Sequence, residues 1–155
     1  MVHTVIYNYM QLLNKQIARK QEMMSGNEYQ MDFKSRAEKS RSELIGQLRE
    51  ACVHILHTHD GARLAMNCLW HGSAKDRKSI VKSFKTFVTK ICTEEHGHVV
   101  MLAAFDAVDD TKLMGKAIVG EMTEHLEEIA TNDHGKKVLM YLAAGNKHST
   151  AEAQG

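Results

Sequence analysis

Three segments of this chain can be laid under one another: HDGARLAM, EHGHVVML and DHGKKVLM. Each has an acidic residue or a histidine ahead of a glycine, then two variable positions, then apolar residues. The glycines are Gly61, Gly97 and Gly135, separated by 36 and 38 residues. Self-similarity at this period restricts the available folds severely. A unit of that size cannot bury its own apolar face, so it must stack on its neighbours, and about three units are needed for a stable core.

The units read as helical. Apolar residues recur at helical spacing through Leu44, Leu48, Cys52 and Ile55, then Leu64, Ala65, Cys68 and Leu69, then Ile80, Phe84, Phe87, Val88 and Ile91. The pattern continues through Val99, Val100, Leu102 and Ala103, then Leu113, Ala117, Ile118 and Met122, then Leu126 and Ile129, and ends at Val138, Leu139 and Leu142. Between glycine copies lie one long helical segment and one short one: KDRKSIVKSFKTF then VTKICTE, and TKLMGKAIVGEM then EHLEEIA. The chain has no proline, where average usage would supply about eight, so no helix interior meets the strongest breaker. Strand-type alternation is scarce. Helix starts are expected at Ser73, at Asp109 and Asp110, at Asn132 and Asp133, and at Asp60, whose carboxylate can cap the helix after it. The fold class expected is all-α, built from three-helix units. Residues 1–20 read as part of an earlier unit, 21–40 as a loop or insertion, 41–144 as the repeats and 145–155 as a disordered tail.

A glycine followed by a short inner helix, recurring at this period, resembles the Pumilio (PUF) repeat. The likeness is closer across HTHDGARLAMNCLWHGSAKDRKSIVK and LAAFDAVDDTKL, which resemble the Puf-A branch of nucleolar Pumilio homologues. The resemblance covers about residues 41–144. It implies a right-handed α-solenoid, and a chain that is a fragment or short isoform of a longer array. It also implies an RNA-binding function, nuclear or nucleolar, in ribosome biogenesis and rRNA processing or in translational control. In sequence-reading members each inner helix offers three side chains to one base. Here those places hold Ala62, Arg63 and Met66; His98, Val99 and Leu102; and Lys136, Lys137 and Met140. Methionine or leucine at the third place cannot read a base edge. The resemblance therefore implies phosphate and shape recognition of structured RNA, and of DNA non-specifically, rather than base-by-base reading. Arg63, His98, Lys136 and Lys137 are its candidate contacts.

Charge adds a second group without reference to any family. Lys75, Arg77, Lys78, Lys82, Lys85 and Lys90 face Asp76 alone within residues 74–92, whereas residues 93–155 hold five lysines against eleven acids. Lys78, Lys82 and Lys85, at i, i+4 and i+7, would form one stripe on a helix and are the flanking candidates for nucleic acid. The acidic half favours the alternative function, a scaffold that docks a ribosomal or ribosome-assembly protein.

Other classes find little support. The three cysteines have no CxxC spacing and read as small buried thiols. His54, His57 and His59 lack a completing ligand, so no metal is expected. No nucleophile elbow, phosphate-binding glycine loop or HExxH occurs. His59, His96 and His134 recur just before each glycine, which a repeat explains better than catalysis, so neither an enzyme nor a cofactor is expected. Trp70, Phe84, Phe87 and Phe105 read as core. No run of 18 apolar residues suggests a membrane span, and a monomer is expected.

Overall fold

The structure is a computed structural model that describes residues 2–22 and 28–144. Every regular element among them is helical. In chain order they are α1 (Val2–Glu22), α2 (Glu28–Leu48), α3 (Cys52–Ile55), α4 (His59–His71), α5 (Ala74–Ser83), α6 (Val88–Cys92) and α7 (Gly97–Ala107). Then follow α8 (Thr111–Met114), a π-helical turn (Gly115–Val119), α9 (Gly120–Glu124), α10 (Leu126–Thr131) and α11 (Asp133–Ala143).

The helices sort into columns. Helices α1, α4, α7 and α11 pack in that order, each on the one before. Helix α2 lies on α1 and α4, and α5 lies between α4 and the α8–α9 segment. The short helices α3, α6 and α10 connect the columns. The result is an all-α solenoid in which one glycine-headed helix per unit joins the α1–α4–α7–α11 layer.

The glycines explain the register. The carbonyl six residues before each one, at Ile55, Ile91 and Ile129, lies beneath the start of the next helix. A β-carbon on Gly61, Gly97 or Gly135 would stand 1.9, 2.8 or 2.1 Å from that oxygen. Three residues before each glycine, Thr58, Glu94 and Asn132 provide the first helical carbonyl, accepting from Ala62, His98 and Lys136. The Thr58 hydroxyl accepts from the Gly61 N–H at 3.0 Å, and Asn132 Oδ1 accepts from Gly135 and His134. Thr58 is thus the cap of α4. Asp60, expected in that role, sits in the first turn instead and accepts from the Thr4 hydroxyl at 2.5 Å. The expected start at Ser73 is a complete capping box with Asp76, and Asp110 caps α8.

The core runs along the whole stack. Ile45, Leu64, Leu69, Ile80, Phe84, Ile91, Met101, Ile118 and Ile129 are fully buried, each contributing about 1.5–3 kcal/mol of transfer free energy. Cys52, Cys68 and Cys92 are buried with them. Polar staples join successive units. Arg49, just after α2, donates to Asp76 of α5 at 3.1 Å. The Glu121 carboxylate of α9 accepts from the Thr86 and Val88 N–H groups at 2.6 and 2.8 Å. Thr86 holds a left-handed φ of 72° in that turn.

The loop reading of residues 21–40 needs correction where the chain is described: residues 21–22 end α1. Residues 28–40 are helical and belong to α2. Over residues 34–48 the stripe that buries α2 is narrow, through Ala37 and Ile45 with Leu44 and Leu48 beside them, and the exposed faces are dense in Lys, Arg, Glu and Ser. Such residues mask an apolar period while several of them favour helix strongly. A Lys34–Glu38 pair at 3.9 Å lies along the exposed side. Residues 23–27 and the tail 145–155 lie outside the described residues.

Candidate nucleic-acid interface

Five candidate cations stand exposed on two different columns. In the α1–α4–α7–α11 layer, Arg63 is exposed on α4, and Lys136 and Lys137 are exposed in the first turn of α11. The N-terminal end of a helix has partial positive character, so two lysines there gain nothing from the helix itself and strengthen an anion-attracting end. Helix α7 separates Arg63 from the two lysines, a gap of roughly 20 Å at ordinary helix spacing. Lys78 and Lys82 are exposed on α5, in another column. Lys85 is exposed as well, but α5 ends at Ser83. The lysine therefore sits in the turn 84–87, and the expected three-lysine helical stripe reduces to two.

His98 does not belong to this surface. It is only 7% exposed. Its Nδ1 lies 2.8 Å from the Glu94 carbonyl, and its ring stacks on His134 with centroids 4.7 Å apart. The side chain closes the start of α7, where no hydroxyl or amide cap is present, and so is spent on packing. Ala62, at the same place after its glycine, is buried as well, whereas Lys136 at that place in the last described unit is exposed.

The recurrent histidines meet across the layer. His3 Nδ1 pairs with Thr58 Oγ1 at 2.9 Å, His59 meets His96 edge to face at 5.7 Å, and His98 stacks on His134. This line of contacts ties the starts of α1, α4, α7 and α11 together. Among the described residues no group of three or more His, Cys, Asp and Glu side chains is placed to hold a metal ion.

Sequence reasoning missed a groove between α1 and α4. Arg63 reaches over the Tyr7 ring, with its guanidinium carbon 5.6 Å from the centroid. One helical turn and then another along α4 come Met66, half-buried, and Trp70, 47% exposed. Trp70 was expected in the core, as was Phe87, which is 43% exposed at the start of α6. Phe84 is fully buried and Phe105 partly so. The i, i+3, i+7 spacing of Arg63, Met66 and Trp70 was available as a signal. An apolar period alone does not say which stripe faces the core and which faces a groove.

No protein-family model matches the chain. It is 54% identical to zebrafish Pumilio homolog 3 over 110 residues, 71% of this chain and 18% of that protein. It is 54% identical to human Pumilio homolog 3 over 104 residues, 67% and 16% respectively. Among solved structures, human Puf-A in complex with DNA matches with a TM-score of 0.67 and 53% identity, over 68% of this chain and 21% of that one. The chain thus spans about a fifth or less of the length of these relatives.

Proposed function

We infer, from the premise that this chain belongs to the Pumilio repeat family, that it is a nucleic-acid-binding segment of a helical array that holds RNA through its phosphates. The observation that carries this is the exposure of Arg63, Lys136 and Lys137 on one continuous helical layer. The similarity to a Puf-A structure solved with DNA supports it. No reading place in that layer offers both a donor and an acceptor to a base edge: Ala62 and His98 are buried, Val99 is apolar, and Met66, Leu102 and Met140 have no donor. Binding is therefore to backbone and shape, with Lys78, Lys82 and Lys85 as a second, flanking contact. Structured ribosomal precursor RNA is the proposed ligand and the nucleolus the proposed location. The role is binding rather than catalysis.

Affinity for a short RNA hairpin, measured by anisotropy over a salt series, tests this. A steep fall with salt is expected. A chain that retains no RNA at low salt overturns the reading.

The exposed carboxylates Glu124, Glu127 and Glu128 on α9 and α10 favour a second reading, a scaffold for a basic ribosome-assembly protein. Loss of RNA binding together with capture of a lysine-rich protein would favour it.

A further inference from the structure

We propose that the two ends of the α1–α4–α7–α11 layer dock on one another between copies of this chain. The α11 face of one copy packs against the α1 face of the next, and the layer continues head to tail. The contact is independent of the nucleic-acid reading above.

Successive helices in the layer meet by opposite faces. On α4 the side toward α1 is the stripe Asp60, Arg63 and Asn67. Asp60 accepts from Thr4, Arg63 lies over Tyr7, and Asn67 accepts from Asn14. At about 100° per residue the opposite side of α4 holds Ala62, Ala65 and Leu69, and all three are buried. The same two faces recur at the last seam, where His98, at the place of Ala62, stacks on His134, at the place of Asp60. Each helix thus offers one face forward along the layer and the opposite face back.

At both ends of the layer, among the described residues, these faces are open. On α11 the places of Ala62, Ala65 and Leu69 hold Lys136, Leu139 and Ala143. Lys136 and Ala143 are exposed and Leu139 is half-buried. On α1 the side toward α4 carries His3, Tyr7 and Asn14. The opposite stripe is Val2, Val5, Tyr9 and Leu12, which are 70, 67, 44 and 52% exposed. Four large apolar side chains at i, i+3, i+7 and i+10 form a patch of the kind that marks a protein contact. A forward face against a backward face is the pairing of the internal seams. Two α1 faces together would pair like with like.

Charge favours the same partner. Residues 1–92 hold fifteen Lys and Arg against eight acids, and residues 93–155 hold five against eleven. The described side chains of α1 include Lys15 and no acid. Exposed Glu124, Glu127 and Glu128 lie on α9 and α10, and α10 packs on α11. Head-to-tail docking brings the acidic end to the basic one, whereas α1 against α1 brings two basic ends together. Lys136 has a stem long enough to lie along the seam while its ammonium stays in water. Because the two faces differ, the contact does not close on two copies and can add further ones. The single copy expected from the sequence is then the dilute state.

Sedimentation velocity of the full chain without nucleic acid, from about 5 to about 200 µM, covers the range in which small interfaces assemble. The average mass is expected to rise with concentration past that of a dimer. Val5→Glu places an acid on the α1 face, against the acidic end. Ala143→Arg places a bulky cation on the α11 face, against the basic end. Both residues are exposed, and circular dichroism checks that the variants fold. Each variant alone is expected to stay monomeric, and Val2→Glu to repeat the Val5→Glu result. An equimolar mixture of Val5→Glu and Ala143→Arg is expected to form a dimer and go no further, since one intact face of each kind remains. A parent chain that is monomeric throughout overturns the proposal. So does an Ala143→Arg variant that still associates, which would mean α1 against α1, or a mixture that stays monomeric.

Discussion

The carbonyl oxygen of Ile55 occupies the space that a β-carbon on Gly61 would need: the two would lie 1.9 Å apart. The same relation holds between Ile129 and Gly135 at 2.1 Å, and more loosely between Ile91 and Gly97 at 2.8 Å. The repeated glycine is therefore a contact with the end of the preceding short helix, not with the neighbouring inner helix. Gly61→Ala and Gly135→Ala are expected to lower stability by about 1–3 kcal/mol or more, because backbone must move to make room. Gly97→Ala is expected to cost less. Urea denaturation of the three variants orders them.

Asp76 closes the Ser73 capping box and receives Arg49 from the preceding unit. Burial pushes its carboxyl pKa up, but hydrogen bonds from the Ser73 backbone and hydroxyl and from Arg49, with the Arg49 charge, outweigh this and hold it below the usual carboxylate range. A depressed folded-state pKa contributes stability that is present above the unfolded value of about 3.9 and is lost as pH falls through the folded value. Asp76→Asn is expected to lower stability by about 1–2 kcal/mol near neutral pH. It should also flatten the acid limb of a plot of melting temperature against pH.

Native thiols should be inert. Cys68 is held protonated by the adjacent Cys52 thiol and by burial, and burial together with the Glu121 charge pushes Cys92 up to about 12. The thiolate is the reactive form. Iodoacetamide at pH 8 is expected to label none of the three within minutes in the folded chain, and all three in denaturant, as read by intact mass. Rapid native labelling would contradict this packing.

The two basic groups should separate by salt slope. Lys136→Ala with Lys137→Ala is expected to reduce the slope of log affinity against log salt by about 1 to 2 on RNA, since each phosphate contact contributes somewhat under 1. Lys78→Ala with Lys82→Ala, in another column, should reduce it independently. An unchanged slope in the first pair would remove α11 from the interface.

Glu121→Ala would leave the Thr86 and Val88 N–H groups without their carboxylate acceptor. A loss of about 1–3 kcal/mol is expected. Hydrogen exchange at those two amides should accelerate more than at the α4 interior.

By itself the sequence determined the architecture. A glycine period of 36 to 38 residues, helical apolar spacing and the absence of proline leave little besides a stacked all-α array, because those signals are local and repeat. It also placed Arg63 and Lys137 at the same point, two residues after the glycine, of the first and third units, with Lys136 beside them. It could not show that 28–40 is helix, since its charged and polar residues interrupt the apolar period and the stripe buried over 34–48 is narrow. Nor could it distinguish His98, packed on His134, from a side chain that faces a ligand, because both sit at the same place after the glycine. Trp70 shows the same limit in reverse: its apolar period matches a core residue, yet its indole is 47% exposed beside α1. The tertiary structure decided which of several chemically similar side chains remain available, because exposure depends on the neighbour across the helix seam and not on the helix that carries the residue.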